Sequence, residues 1–454
     1  MKKLWDKGYR LDTEAESFTV GEDALYDKKL IFHDCLGSVA HSAMLKKIGV
    51  LSLQEFKCLH IGLWRIIDLA KEGKFSISVS DEDVHTAVEN YLTLQHGDAG
   101  KKLHTARSRN DQIALDTRLY MKEKLLSIAS SLLDLCQAMS DFSEEHNQTA
   151  IPGRTHMQTA MPSSFGLWAG AFLEALLDDF FVMEQTYRLI DQCPLGAAAS
   201  YGTALPIDRR YTADLLGFSK VQNNVLYANN SRGKLEGAVV HAMAQTMTDL
   251  SRMASDLILY SIPEFAYVAL PKEYCSGSSL MPQKHNPCVL ELIRAKAATV
   301  LGYLPTLFEI ARPLPSGYSR DLQETKAPFM KAMETTHMSL SIMARMVRGL
   351  KVDKEKCLSS FSREIFATDV ALQLVEKGMP FREAYRKVAS ETSKVEMQDP
   401  VENILSKTHL GSTGNLGISI SNAKIQEFTQ WFLQERKKWE IVVSRLGNLE
   451  ELIK

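Results

Sequence analysis

An all-α fold is predicted on three grounds. No stretch alternates apolar and polar residues for long enough to make a strand, and no strand–helix–strand rhythm occurs. Apolar repeats at helical spacing run for roughly 30 residues in the middle of the chain, well beyond the usual helix length. In the longest, Leu125, Ala129, Leu132, Cys136 and Met139 keep heptad spacing, which suits near-parallel packing in a bundle. At 454 residues the chain exceeds one compact domain. Three helical domains are expected: residues 1–108, a central long-helix bundle over 109–353, and a smaller unit over 354–454.

The elements follow in order. Residues 1–28 are acidic and weakly patterned, and read as an arm. Lys29 to Lys71 carry two helices separated by Gly49. Asp81-Glu82-Asp83 places acids where a helix N-terminus favours them. Long helices are then predicted over 111–146, up to Asp191, over 233–262, from Pro287, and over 326–350. In the fourth, Pro305 is placed as a kink. Helices this long and apolar on more than one face bury a face on another subunit, so oligomerisation is expected.

Composition narrows the function. Lys and Arg number 53 against 55 Asp and Glu, a net charge of −2, which gives no basic field for nucleic acid. Seven scattered cysteines without a CxxC signal neither zinc nor a disulfide framework; reduced thiols in the cytoplasm are the simplest reading. The N-terminus lacks the apolar core of a signal peptide, and no 18-residue apolar run predicts a membrane span.

The chemistry concentrates in the loops between helices: 104–112, 153–158, 193–203, 276–287 and 316–326. They hold carboxylate donors (Arg107, Arg109, Asn110, Thr155, Lys284, Asn286) and proton carriers (His156, Ser278). His85, His104, His156 and His285 lack zinc-site spacing, and no phosphate-cradling glycine motif or nucleophile elbow is present. Donors for carboxylates beside proton carriers, with no metal or cofactor signal, point to proton abstraction next to a carboxylate. In Gly277-Ser278-Ser279-Leu280-Met281-Pro282-Gln283-Lys284-His285-Asn286-Pro287, a small-residue loop leads to Asn286 as N-cap and Pro287 as first helical residue. Loops of an antiparallel bundle alternate between its two ends, so these cannot all meet within one subunit.

That last stretch resembles the signature of the fumarase/aspartase/argininosuccinate lyase superfamily. His104–Gln112, Ser80–Thr86, Pro152–His156, Pro194–Gly196, Asp208-Arg209, Tyr318–Glu324 and Met379–Arg382 resemble the argininosuccinate lyase branch, in the family's order. The resemblance implies a homotetramer with active sites shared between subunits, no cofactor, and reversible cleavage of argininosuccinate to arginine and fumarate. It implies Ser278 as base, His156 as acid or relay with Glu291 as its partner, and Lys284 with Asn286 holding developing charge. Ser108, Arg109, Asn110 and Thr155 match contacts to the succinyl carboxylates; Asp27, Tyr318, Gln323 and Lys326 match the arginine side. His85 and His104 read as structural.

The chain departs from the family pattern at Leu4–Gly8, at Glu22-Asp23-Ala24, at Asn230–Gly233, at Ala106 (glycine in the family) and at Arg154 (tyrosine). Several departures fall on the side that recognises the leaving amine. The alternatives are therefore a lyase releasing another amine from an N-substituted aspartate, and a crystallin-like structural protein.

Overall fold

The computed structural model describes residues 12–78 and 81–453. The Leu4–Gly8 departure and Ser80 of the matched Ser80–Thr86 stretch lie outside the described residues. The principal helices are α1 (Ile31–Lys47), α2 (Leu53–Lys71), α3 (Val84–His96), α4 (Arg109–Glu145), α5 (Phe165–Ile190), α6 (Lys234–Ser261), α7 (Cys288–Ala311), α8 (Lys326–Gly349) and α9 (Ile418–Gly447). The fold is all-α as predicted, and the five long helices of the middle region fall within two residues of the expected ends that the sequence marked. Pro305 lies inside α7, which runs through it as one helix.

Helices α4 to α8 form the bundle, and the five heptad residues of α4 are all buried. Helices α1 to α3 pack around the start of α4, where Gly37 of α1 lets the backbone approach Leu115 and Asp116; a Cβ there would lie 2.6 Å from Leu115 Cδ2. Helix α9 returns to the bundle and stacks Phe428 on Phe180, with ring centroids 4.5 Å apart. A second, smaller core joins Phe361, Phe366, Ala384, Val388 and Ile404 to Ala150.

Among the described residues, strands occur only as two-stranded pairs. The largest is a hairpin of β1 (Ala150–Thr155) and β2 (Gln158–Ser164). Sequence reading placed only an interruption there. The turn is His156-Met157, with φ of 54° and 62°. Positive φ at both central residues is the type I′ hairpin pattern, normally signalled by Asn-Gly. These side chains carry no such signal, and each left-handed residue costs about 1–3 kcal/mol.

Helix α7 is unusual in its burial. Leu290, Ile293, Ala297, Val300 and Leu307 form one buried stripe, while Leu292, Leu301 and Phe308 on other faces are 56%, 45% and 46% exposed. One chain thus covers only part of this helix's apolar surface.

Behind the start of α4 lies a buried charged cluster. His85 Nδ1 is 2.5 Å from Asp34 Oδ2 and 3.6 Å from Asp116 Oδ2. Burial opposes charge on Asp34, but the hydrogen bond to His85 outweighs it and holds this carboxyl below its ordinary range. Burial likewise opposes charge on His85, and Asp34 outweighs that, raising the imidazole. Asp116 is pushed well up by burial and then by the Asp34 charge, which favours its neutral form. The directions together favour an imidazolium on His85, a carboxylate on Asp34 and a neutral acid on Asp116. Asp34→Asn should leave a buried cation unpaired and cost about 3–5 kcal/mol in urea unfolding. Asp116→Asn, which mimics the neutral acid, should cost less than about 1 kcal/mol.

Candidate active site

The up-and-down bundle divides the functional loops between two poles. At one end, Asp111 Oδ2 accepts hydrogen bonds from the Gly196 and Ala198 N–H groups at 3.0 and 2.9 Å, tying loop 104–112 to loop 193–203. Asn230 Oδ1 accepts the Gly317 N–H at 2.8 Å, which draws in loop 316–326. At the other end are the His156 hairpin, the Ser278 loop and a short pairing of Val268-Ala269 with Lys351-Val352. The Arg154 guanidinium lies 4.5 Å from the Phe265 ring centroid, holding the hairpin at this end. At 1.5 Å per residue, α7 between the Ser278 and Tyr318 loops is about 36 Å long, and α4 between Ser108 and the His156 hairpin is about 55 Å long.

The first pole carries two depressions that share Arg109 and Asn110. One is a cavity of about 140 Å³ lined by Asp23, Asp27, Glu82, Asp83, His85, Arg109, Arg232, Tyr318, Arg320, Gln323 and Lys326, with Val20 and Ile113 as apolar wall. The other, of about 530 Å³, is lined by His104, Arg107, Ser108, Arg109 and Asn110 with loop 198–203, and has no carboxylate. Seven of the nine expected substrate contacts, Asp27, Ser108, Arg109, Asn110, Tyr318, Gln323 and Lys326, therefore gather here, and Thr155 and Asn286 do not.

Local sequence explains their placement. Ser108 caps α4: its Oγ accepts the Asn110 N–H at 3.2 Å, and its own N–H donates to Asp111 Oδ1 at 2.8 Å. Asp27, fully buried at the end of the single-turn helix Asp23–Asp27, accepts the Val84 N–H at 3.0 Å and the Lys326 Nζ at 2.6 Å. Asp83 caps α3 through Thr86 N–H and receives Arg109 Nη1 at 2.8 Å. Gln323 and Arg320 both donate to the Thr19 carbonyl at 3.0 Å, so the segment predicted as an arm covers the cavity. Arg232 is buried on Glu236 at 2.8 Å and donates to the Leu322 carbonyl, fixing the turn beside Gln323. Ala106 has φ of 62°, which accounts for the glycine of the family pattern.

The opposite pole holds the predicted proton carriers. Ser276 and Asn286 form an antiparallel bridge, with N–H···O distances of 3.0 and 2.8 Å, that closes the neck of loop 277–285. Asn286 is therefore not the N-cap, and Pro287 is not the first helical turn: α7 begins at Cys288, and the Asn286 side chain donates to the Gly277 carbonyl at 3.3 Å. The bridge takes Asn286 into extended pairing, which overrides its capping preference. Ser278 Oγ accepts two backbone N–H groups, from Leu280 at 3.3 Å and Met281 at 3.1 Å. Lys284, which the resemblance sets beside Asn286 to hold developing charge, is exposed, as are Glu291, Thr155 and His156. Within one chain these proton carriers do not meet the Arg109–Asn110 depressions.

The cavity also contains residues that spacing did not flag: Asp23, Glu82, Asp83, His85, Arg232 and Arg320. Their signal is long-range. Asp23 Oδ1 meets Lys326 Nζ at 2.6 Å from the far end of the sequence.

A family profile described as "Lyase" matches residues 12–302, and one described as "Argininosuccinate lyase C-terminal" matches 364–406. The argininosuccinate lyase of Thermotoga neapolitana is 44% identical over 86% of this chain and 98% of its own length. The chain belongs to the argininosuccinate lyase family. The argininosuccinate lyase of Sorangium cellulosum is 41% identical over 92% of this chain and 96% of its own length. Among solved structures, an EDDS lyase variant with bound fumarate superposes with a TM-score of 0.81 at 23% identity, over 98% of this chain and 97% of that one. A class II fumarase from Schistosoma mansoni gives 0.70 at 17% identity, over 84% and 91%. Membership of this family makes the chain an enzyme, a carbon–nitrogen lyase, within the fumarase/aspartase superfamily.

Burial pushes the Asp23 carboxyl from 3.8 up to about 6, with Lys326 opposing and Asp27 adding to the rise. The folded state then holds a proton that the unfolded chain releases first, so Asp23 makes stability fall as pH rises from about 4 to 6. In urea unfolding across that range, Asp23→Asn should flatten this part of the slope.

Proposed function

We propose that the two depressions and the opposite-pole loops of other subunits combine to cleave argininosuccinate reversibly into L-arginine and fumarate. The observation that carries this reading is the charge of the two depressions meeting at Arg109 and Asn110. The lobe with Arg107, Arg109 and His104 and no carboxylate suits a dianionic succinyl group. The lobe mixing Asp23 and Asp27 with Lys326 and Arg320 suits a zwitterionic amino-acid end. A guanidino group placed between them sits beside the bond to be broken.

In the reaction, Ser278 removes a proton from the succinyl carbon next to a carboxylate. A serine alkoxide needs stabilisation at neutral pH, and the Leu280 and Met281 N–H groups aimed at Oγ supply donors for it. The electron pair moves into the adjacent carboxylate, giving an aci-carboxylate. Its collapse forms the carbon–carbon double bond of fumarate and breaks the carbon–nitrogen bond. His156, paired with Glu291, returns a proton to the departing guanidino nitrogen. Lys284, Asn286 and Thr155 join Ser108, Arg109 and Asn110 in holding the negative charge. The left-handed backbone at His156 presents its imidazole at a hairpin tip, where a neighbouring chain can receive it.

A homotetramer is part of the same proposal. The uncovered apolar faces of α7 call for partner helices, and the separation of the two poles calls for partner loops. Tests of both parts use the intact protein. Argininosuccinate should produce the ultraviolet absorbance of fumarate, and Ser278→Ala should lower kcat at least about a thousandfold while the oligomer survives. Absorbance with a different N-substituted aspartate, and none with argininosuccinate, would reject arginine as the leaving group. Mixing inactive Ser278→Ala and His156→Ala subunits, followed by verified subunit exchange, should restore part of the activity. No recovery would reject sites shared between chains.

A further inference from the structure

Four carboxylates line the 140 Å³ cavity, and three of them already have two fixed tasks or a strong cation. Asp27 has Lys326 on Oδ1 and the Val84 N–H on Oδ2, and is fully buried. Asp83 has Arg109 on Oδ2 and the Thr86 N–H on Oδ1. Glu82 faces Arg109 at 3.4 Å. Asp23 meets Lys326 through Oδ1 at 2.6 Å, and its side chain keeps 13% exposure. One ammonium serves both Asp23 and Asp27, while Arg109 is engaged by Asp83 and Glu82, Arg232 by Glu236 and Arg320 by the Thr19 carbonyl. Lys326 has three N–H donors, of which these two carboxylates take two, so one is left for an incoming acceptor.

A group that carries an ammonium and a carboxylate on one carbon satisfies both demands at once. Its carboxylate takes the third N–H of Lys326, beside Gln323 and Arg320, and its ammonium takes the second oxygen of Asp23. Val20 and Ile113 offer apolar contact to a methylene chain leading back toward Arg109. We propose that Asp23 is a specificity residue that recognises the α-ammonium of the leaving amine, an amino acid with a long cationic side chain. This rests on the reaction proposed for the site. Burial is the main cause of the raised Asp23 carboxyl, about 6, and the neighbouring Asp27 charge adds to it; an ammonium on Asp23 would oppose both.

The test compares L-arginine, 5-guanidinopentanoate (no ammonium) and agmatine (no carboxylate) as product inhibitors of the wild-type protein, Asp23→Asn and Asp23→Ser. Folding is checked by circular dichroism and oligomer size. Wild type should bind L-arginine about tenfold or more tightly than 5-guanidinopentanoate, the worth of one charged hydrogen bond. Both variants should bring that ratio within about twofold, while the preference for L-arginine over agmatine persists through Lys326. Equal weakening of all three compounds would overturn the assignment, because it marks a structural role exerted through Lys326. An unchanged ratio would overturn it too. Should the variants not fold, the wild-type ratio decides: no preference for the ammonium ends the proposal. Wild-type turnover of argininosuccinate with unaltered ratios condemns the role of Asp23 alone. Absence of turnover condemns the reaction assignment, and the role of Asp23 with it.

Discussion

The ion pair of Asp27 and Lys326 at the mouth of the bundle is the contact on which the site depends. It joins residues 299 apart in sequence. The same carboxylate also receives the Val84 N–H, so the start of α3, the short helix before α1 and the first residue of α8 are held at one point. From the first turn of α3 the charges pass in two directions. Asp83 orients Arg109 toward the depressions, and His85 anchors the turn to Asp34 and Asp116 inside the protein. Charges this buried are tolerable only where each meets a partner. The cluster therefore constrains where three helices can sit, and the cavity is the space they leave.

Much of this was legible in the sequence. The long helices announce themselves by heptad spacing and by Gly- and Pro-bearing breaks, because burial in a bundle is periodic and local. The division of loops between two ends follows from helix lengths alone. The resemblance carried Ser278, His156 and the carboxylate donors, and seven of the expected contact residues do converge in space. The hairpin escaped notice because His156-Met157 adopts left-handed backbone without glycine or asparagine. Asn286 was misread as a cap because Asn-Pro before an apolar run fits a helix start, while the competing bridge to Ser276 is a tertiary choice. Asp23 stood out only as a departure from pattern. Its partner Lys326 enters through the fold, and no local rule pairs them.

The two poles also show what a single chain lacks. Each end of the bundle is chemically partial: most of the expected carboxylate donors lie at one, and the expected proton carriers at the other. A long helix is a poor way to bring its own ends together but a good way to set them at fixed distances. Side-by-side antiparallel copies would place unlike ends next to each other, and the exposed Leu292, Leu301 and Phe308 of α7 supply apolar surface for such a contact.

The bridge between Ser276 and Asn286 acts as a collar on the loop it closes. With both ends fixed, each residue of 277–285 is on a leash set by its distance from the collar. At no more than about 3.5 Å per residue, Ser278 can stray only about 7 Å, whereas Met281 near the middle has a reach of about 17 Å. Motion of this loop therefore divides by function. Ser278 stays near its post, while the tip from Leu280 to Gln283 has the reach to cover a neighbouring surface.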